Sequence, residues 1–121
     1  MTNAESLATE DVRRLLAQYQ QTALEWDAAA NDASKANRLF KQNHAIYKRL
    51  RDSPEGRDGI AEMMDDPSLG VRLLAATHSL AWRRVDAIRV LKFIEQSAGL
   101  QAVTAKYTLK SYHDGKLDLD W

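Results

Sequence analysis

The sequence predicts an all-α fold of about six helices stacked as helix pairs, and three observations carry that expectation. Gly and Pro are scarce, at 5 and 2 copies in 121 residues, so they punctuate helices rather than fill loops. Apolar residues recur at three- and four-residue steps along most of the chain, the period of an amphipathic helix. The stretch Met63-Met64-Asp65-Asp66-Pro67-Ser68-Leu69-Gly70-Val71-Arg72-Leu73-Leu74-Ala75-Ala76 reads as a helix end, an acidic Pro turn and a second helix with a small-residue face. The length suits one domain. Residues 1–33 read as an N-terminal capping helix, 34–113 as the core of stacked pairs, and 114–121 as a tail.

The first helix is expected to start near Thr9, with Glu10 and Asp11 at its positive end. Its apolar stripe is Val12, Leu15, Leu16, Tyr19, Ala23 and Trp26. Asn31, Asp32 and Ser34 mark a break and a new cap. The second helix carries Ala36, Leu39, Phe40, Asn43, Ile46, Tyr47 and Leu50, and ends before Pro54, which disfavours helix in the residue preceding it. Pro54 opens a short third helix whose apolar positions are Ile60, Met63 and Met64. The fourth runs from about Ser68 to Trp82 and is apolar on most sides, the mark of a central helix. The fifth carries Val85, Ile88, Leu91 and Ile94 and stops before Gly99. The sixth carries Leu100, Val103, Ala105, Tyr107 and Leu109, and stops before Gly115. In the tail, Leu117, Leu119 and Trp121 alternate with acids and are expected to pack back on the helices.

Composition excludes several classes of function. The 17 basic and 17 acidic residues cancel, so no bulk field draws the chain to nucleic acid or an anionic membrane. The absence of Cys removes disulfides, thiolate ligands and a Cys nucleophile, and fits a reducing compartment. The first residues lack a basic segment followed by an apolar run, and no apolar stretch approaches the roughly 20 residues that span a bilayer. The expected location is cytoplasmic.

A weak internal repeat is visible. Gly70, Val71, Ala75, Ala76 and Leu80 align with Gly99, Leu100, Thr104, Ala105 and Leu109 at a constant offset of 29. A fixed offset is the signature of stacked units, although two amphipathic helices also match at some positions by chance. Residues 65–76, Asp-Asp-Pro-Ser-Leu-Gly-Val-Arg-Leu-Leu-Ala-Ala, resemble the short HEAT-like helical repeat, in which an acidic Pro turn leads into Val-Arg and then Ala-Ala. With Ala36-Asn37-Arg38-Leu39-Phe40 and Ala105-Lys106-Tyr107-Thr108-Leu109-Lys110 before Gly115-Lys116-Leu117, the chain is similar to a family of small bacterial HEAT-like proteins of unknown function. The likeness covers roughly residues 34–117. It implies a short right-handed solenoid, with the first helix covering one end and the tail the other. It also implies a protein-binding scaffold, and some small HEAT-like proteins resemble immunity proteins that block toxins. In the resembled repeat the Arg pairs with an acidic turn residue, which makes Asp65, Asp66 and Asp86 the candidate partners of Arg72. Gln101 stands where that Arg would recur.

No catalytic pattern emerges. His44, His78 and His113 fall on the second, fourth and sixth helices, but none are spaced i, i+4 as paired metal ligands on one turn would be. There is no Gly-x-Ser-x-Gly, and Gly56 and Gly59 lack the Lys and strand of a phosphate cradle. Asp65 and Asp66 are already explained by a helix start. Charge is the better signal. Lys35, Arg38, Lys41, Lys48, Arg49 and Arg51 follow one another with no acid between them, whereas the next segment holds Glu55, Asp58, Glu62, Asp65 and Asp66 against Arg57. Either the two segments neutralise each other, or they form a polarised surface that selects a partner. Phe40, His44 and Tyr47 interleave with these cations, as aromatics do at interface hot spots.

The expected function is therefore a non-catalytic protein-binding module, an adaptor or immunity-type inhibitor of another protein, with no cofactor and no metal. The expected partner-binding residues are Arg38, Lys41, His44, Tyr47, Lys48 and His78. Two alternatives remain: weak binding of a nucleic-acid backbone through the basic second helix, against which the neutral net charge argues, and a small hydrolase using the histidines.

Overall fold

The computed structural model describes the backbone from Thr2 to Trp121 and the side chains from Glu10 onward. It contains six α-helices: α1 (Thr2–Ala28), α2 (Ala33–Leu50), α3 (Pro54–Glu62), α4 (Leu69–Ser79), α5 (Arg84–Glu95) and α6 (Leu100–His113). A single 3-10 turn, Met63–Asp65, follows α3. Helix makes up 77% of the chain and no strand occurs among the described residues, far from the roughly one-third helix of average domains. The class is all-α. The backbone is already helical at Thr2, and the cap expected at Thr9 concerns a side chain outside those described. The chain forms two compact units, residues 1–60 and 61–121.

Unit 1 is built on the pairing of α1 with α2. Leu15, Tyr19 and Ala23 recur every fourth residue and are buried, as are Leu39, Asn43, Tyr47 and Leu50 on α2. Trp26 meets Phe40 with ring centroids 6.3 Å apart, while Asn43 Nδ2 donates to the Tyr19 carbonyl at 3.0 Å and to Thr22 Oγ1 at 3.1 Å. Residue numbers rise on one helix as they fall on the other, so the pair is antiparallel. Asp32 makes the turn productive: its carboxylate accepts from the Lys35 N–H and caps α2. At the far end Arg51 donates to the Tyr47 hydroxyl and lies over its ring, and Arg57 donates to the Arg51 carbonyl at 2.7 Å.

Burial pushes the Tyr19 phenol well above its ordinary value of 10.0, with the Tyr47 phenol adding to the rise. In the unfolded chain Tyr19 ionises near pH 10, whereas in the folded chain it stays neutral there. Its contribution to stability is thus complete below about pH 10 and is lost as pH climbs toward the folded value, because the unfolded state then binds fewer protons. Denaturant titrations from about pH 9 to about pH 11 should show wild type losing stability relative to Tyr19→Phe. A constant difference between the two proteins would mean that the phenol ionises as readily folded as unfolded.

Unit 2 is arranged around α4, which packs on α5, α6 and the 3-10 turn. Gly70, Val71, Leu73, Leu74, Ala75, Ala76, His78 and Ser79 are all buried, as the all-round apolar pattern implies. The turn before it is a double cap: Asp66 Oδ1 accepts the Ser68 N–H at 2.8 Å, and Ser68 Oγ accepts the Val71 N–H at 3.3 Å. The helix ends at Ser79, three residues before the expected Trp82. The Trp82 and Arg83 N–H groups turn back to the Ser79 carbonyl there. At the end of α6, Gly115 adopts φ 69°, a left-handed value suited to Gly. It donates to the Tyr112 carbonyl, and Lys116 donates to that of Ser111, which together close the helix as a Schellman motif. Leu117 and Leu119 of the tail are half-buried, and Trp121 is exposed.

On α5 and α6 only part of the apolar spacing is buried. Ala87, Leu91 and Ile94 of α5 and Ala105 and Leu109 of α6 are buried, but Val85, Leu100, Val103 and Tyr107 are exposed. At about 100° per residue, Leu100, Val103 and Tyr107 form one stripe of α6, and Ala105 and Leu109 lie on the opposite side. Only the second stripe reaches the core.

Candidate interaction surfaces

Helix α2 holds no acidic residue along its 18 positions. Lys35, Arg38, Lys41 and Arg49 project from its outer side and are exposed, and none of the four makes an ion pair among the described residues. The neutralisation weighed from sequence thus does not extend to them. The six residues expected to touch a partner divide by burial. Arg38 and Lys41 are exposed and Lys48 is half-buried. His44, Tyr47 and His78 are 3%, 1% and 2% exposed. A side chain so enclosed cannot touch a partner across the surface, so the accessible part of that set is Arg38, Lys41 and the edge of Lys48. The Tyr47 ring lies 5.2 Å from that of His44 and beneath the Arg51 guanidinium, so the aromatics interleaved with the cations belong to the packing of unit 1.

In unit 2 the residues expected to pair do not. Arg72 makes no ion pair with Asp65, Asp66 or Asp86. Its guanidinium carbon instead lies 5.7 Å from the centre of the Phe93 ring, within cation–π range. Asp86 pairs with Arg89, one turn along α5, at 3.5 Å. Asp65, Asp86, Arg83 and Arg89, with Ala61, Met64 and Val90, line an open cleft of about 250 Å³. Both signs of charge share that cleft, and its lining includes no Ser or His to act as nucleophile or base. His113 is exposed at the end of α6 beside Tyr112. Among the described residues no group of three or more His, Asp or Glu side chains is placed to hold a metal ion, and no helix is long and apolar enough to cross a membrane.

The apolar spacing read on α5 and α6 left out Phe93 and grouped Val85, Leu100, Val103 and Tyr107 with residues that are buried. The missed signal was the presence of two apolar stripes on opposite sides of α6, only one of which a helix at the edge of a unit can bury.

The described residues thus carry a basic helix in unit 1, whose Lys35, Arg38, Lys41 and Arg49 make no ion pair, and an exposed apolar helix face in unit 2. The model of a domain of unknown function, DUF2019, matches residues 13–113, and the chain belongs to that family. It is similar to the protein RPA1889 from Rhodopseudomonas palustris CGA009, known from a crystal structure, with a TM-score of 0.79 and 30% sequence identity over 88% of this chain and 92% of that one. No curated protein matches the sequence. The chain thus belongs to a family of unknown function and has a bacterial structural neighbour.

Proposed function

We propose that the protein is a non-catalytic binding module that recognises another protein, as an adaptor or inhibitor. The observation that carries this reading is the outer side of α2, where Lys35, Arg38, Lys41 and Arg49 stand exposed and without ion pairs on a helix that has no acid. Desolvating a charge that already has a partner gains little, whereas unpaired cations are free to steer and select an acidic patch. A HEAT-like stacking of helices within unit 2 is part of the same reading. It is supported by the matched pairs Ala76 with Ala105 and Leu80 with Leu109, all four of which are buried.

The test is a pull-down of the tagged protein from lysate of its own organism at low salt, with the captured species identified by mass spectrometry. Wild type should retain a stoichiometric protein partner. The double variant Arg38→Glu/Lys41→Glu should retain about tenfold less of it and melt at the wild-type temperature, because both side chains are exposed. Equal capture by the two proteins would remove α2 from the interface. Capture that disappears with nuclease and falls steeply with salt would replace the protein partner by a nucleic-acid backbone.

A further inference from the structure

We propose that unit 2 carries a second, separate docking surface for a short acidic and apolar segment of another protein, centred on Arg72 and Phe93 and continued along α6 by Leu100, Val103 and Tyr107. Phe93, in the last turn of α5, is 62% exposed. The Arg72 guanidinium carbon lies over its ring, 5.7 Å from the centre. Arg72 Nε is buried with no hydrogen-bond partner, and no carboxylate pairs with the group among the described residues. A guanidinium within cation–π range of an aromatic ring is oriented, and its two terminal amino groups, rather than the enclosed Nε, suit an incoming carboxylate. An exposed aromatic beside an Arg is also the composition enriched at the centres of protein interfaces.

The apolar part of the surface begins close by. Leu100 opens α6 and is 61% exposed, and Val103 and Tyr107 follow on the same stripe. Phe93 and Leu100 flank the short link 96–99, so they sit at the same end of the packed α5/α6 pair. An isolated exposed Leu needs no explanation, but an aligned stripe that starts at the same end of the α5/α6 pair as Phe93 does.

Charge decides the occupant. Residues 96–113 contain no Asp or Glu; Lys110 is paired with Asp114 at 3.8 Å, but Lys92 and Lys106 are exposed and make no ion pair among the described residues. A segment with Asp or Glu beside its apolar residues complements that rim. A second copy of the chain docked face to face would oppose Lys92 and Lys106 with their own kind. It would also need roughly 20–30 residues a side for a stable interface, which these few side chains do not supply. This surface uses none of the α2 cations, so it stands or falls independently of them.

The experiment is selection of a random peptide library displayed on phage against the purified full-length protein. Enriched sequences are then made as fluorescent peptides and titrated by anisotropy. The enriched peptides should combine Asp or Glu with Leu, Phe or Trp. Arg72→Gln and Phe93→Ser should each weaken them about tenfold, and Arg38→Glu/Lys41→Glu should bind them as wild type does. Lys106→Glu, at an exposed position, should also weaken them and serves as the check if Arg72→Gln fails to fold. Enrichment of peptides without acids, binding indifferent to these substitutions, no enrichment, or self-association through α6 in sedimentation would each overturn the proposal. The α2 reading is judged separately, by the pull-down.

Discussion

Replacing Gly56 with Ala is expected to cost about 3 kcal/mol or more and to lower the melting temperature by on the order of 10 °C. Gly56 lies in the first turn of α3 and is buried. A Cβ there would sit 2.7 Å from the Leu50 carbonyl carbon and closer still to its oxygen. Those atoms are backbone at the end of α2, so relief requires moving α3 away from α2 and stretching the bond from the Gly56 N–H to Ser53 Oγ, now 3.0 Å. Gly59→Ala is the matched control on the same helix. Its Cβ would meet the Leu16 side chain, with Cδ2 at 2.6 Å, and a half-buried Leu can turn away. The gain in helix propensity, about 1 kcal/mol, offsets much of that adjustment, so Gly59→Ala should melt close to wild type. Thermal unfolding followed by circular dichroism checks both. If the two variants melt alike, the tight approach of Gly56 to Leu50 does not govern the stability of unit 1.

Leu73→Ala is expected to cost about 2–5 kcal/mol, the transfer loss of the side chain plus the cavity left behind. Leu73 has no exposed surface, and its neighbours Val71, Leu74, Ala75 and Ala76 along α4 are equally enclosed. A helix covered on nearly every side has little room to collapse into the void. Against a total stability of roughly 0.05–0.15 kcal/mol per residue, this is a large fraction. Urea unfolding should show a lower midpoint with an unchanged slope. Thr77→Ala provides the comparison. Thr77 is half-buried and its hydroxyl donates to the Leu73 carbonyl at 2.8 Å, a back-bond that does little for a helix. Loss of stability no greater in Leu73→Ala than in Thr77→Ala would displace α4 from the centre of unit 2.

Much of the fold was legible because local signals in the chain act over short distances. Asp32, Pro54 and Ser68 mark helix starts through hydrogen bonds or a fixed φ, and Gly115 ends α6 by adopting a left-handed φ. Those are properties of a residue and its neighbours, so they can be read without tertiary context. The end of α4 was not legible. Residues 80–83 contain neither Gly nor Pro, and what stops the helix is the chain folding back so that the Trp82 and Arg83 N–H groups reach Ser79.

The candidate surfaces divide in the same way. That α2 is basic and acid-free is a property of the sequence, since no fold can add a carboxylate to it. Which of its residues face outward is decided by packing, which encloses His44 and Tyr47 and leaves Arg38 and Lys41 outside. Periodicity identified apolar stripes on α5 and α6 but not which stripe the core would claim. Burial follows the neighbours a helix finds, so Ala105 and Leu109 went inside while Leu100, Val103 and Tyr107 stayed out. Arg72 was marked by its motif as a residue seeking a partner. Only the approach of α5 to α4 decided that the partner is the Phe93 ring rather than an aspartate. The sequence by itself determined which segments are helical, the caps at Asp32 and Ser68 and the sign of charge along each helix. The tertiary structure decided which faces are surface, because a helix has sides that only its packing distinguishes.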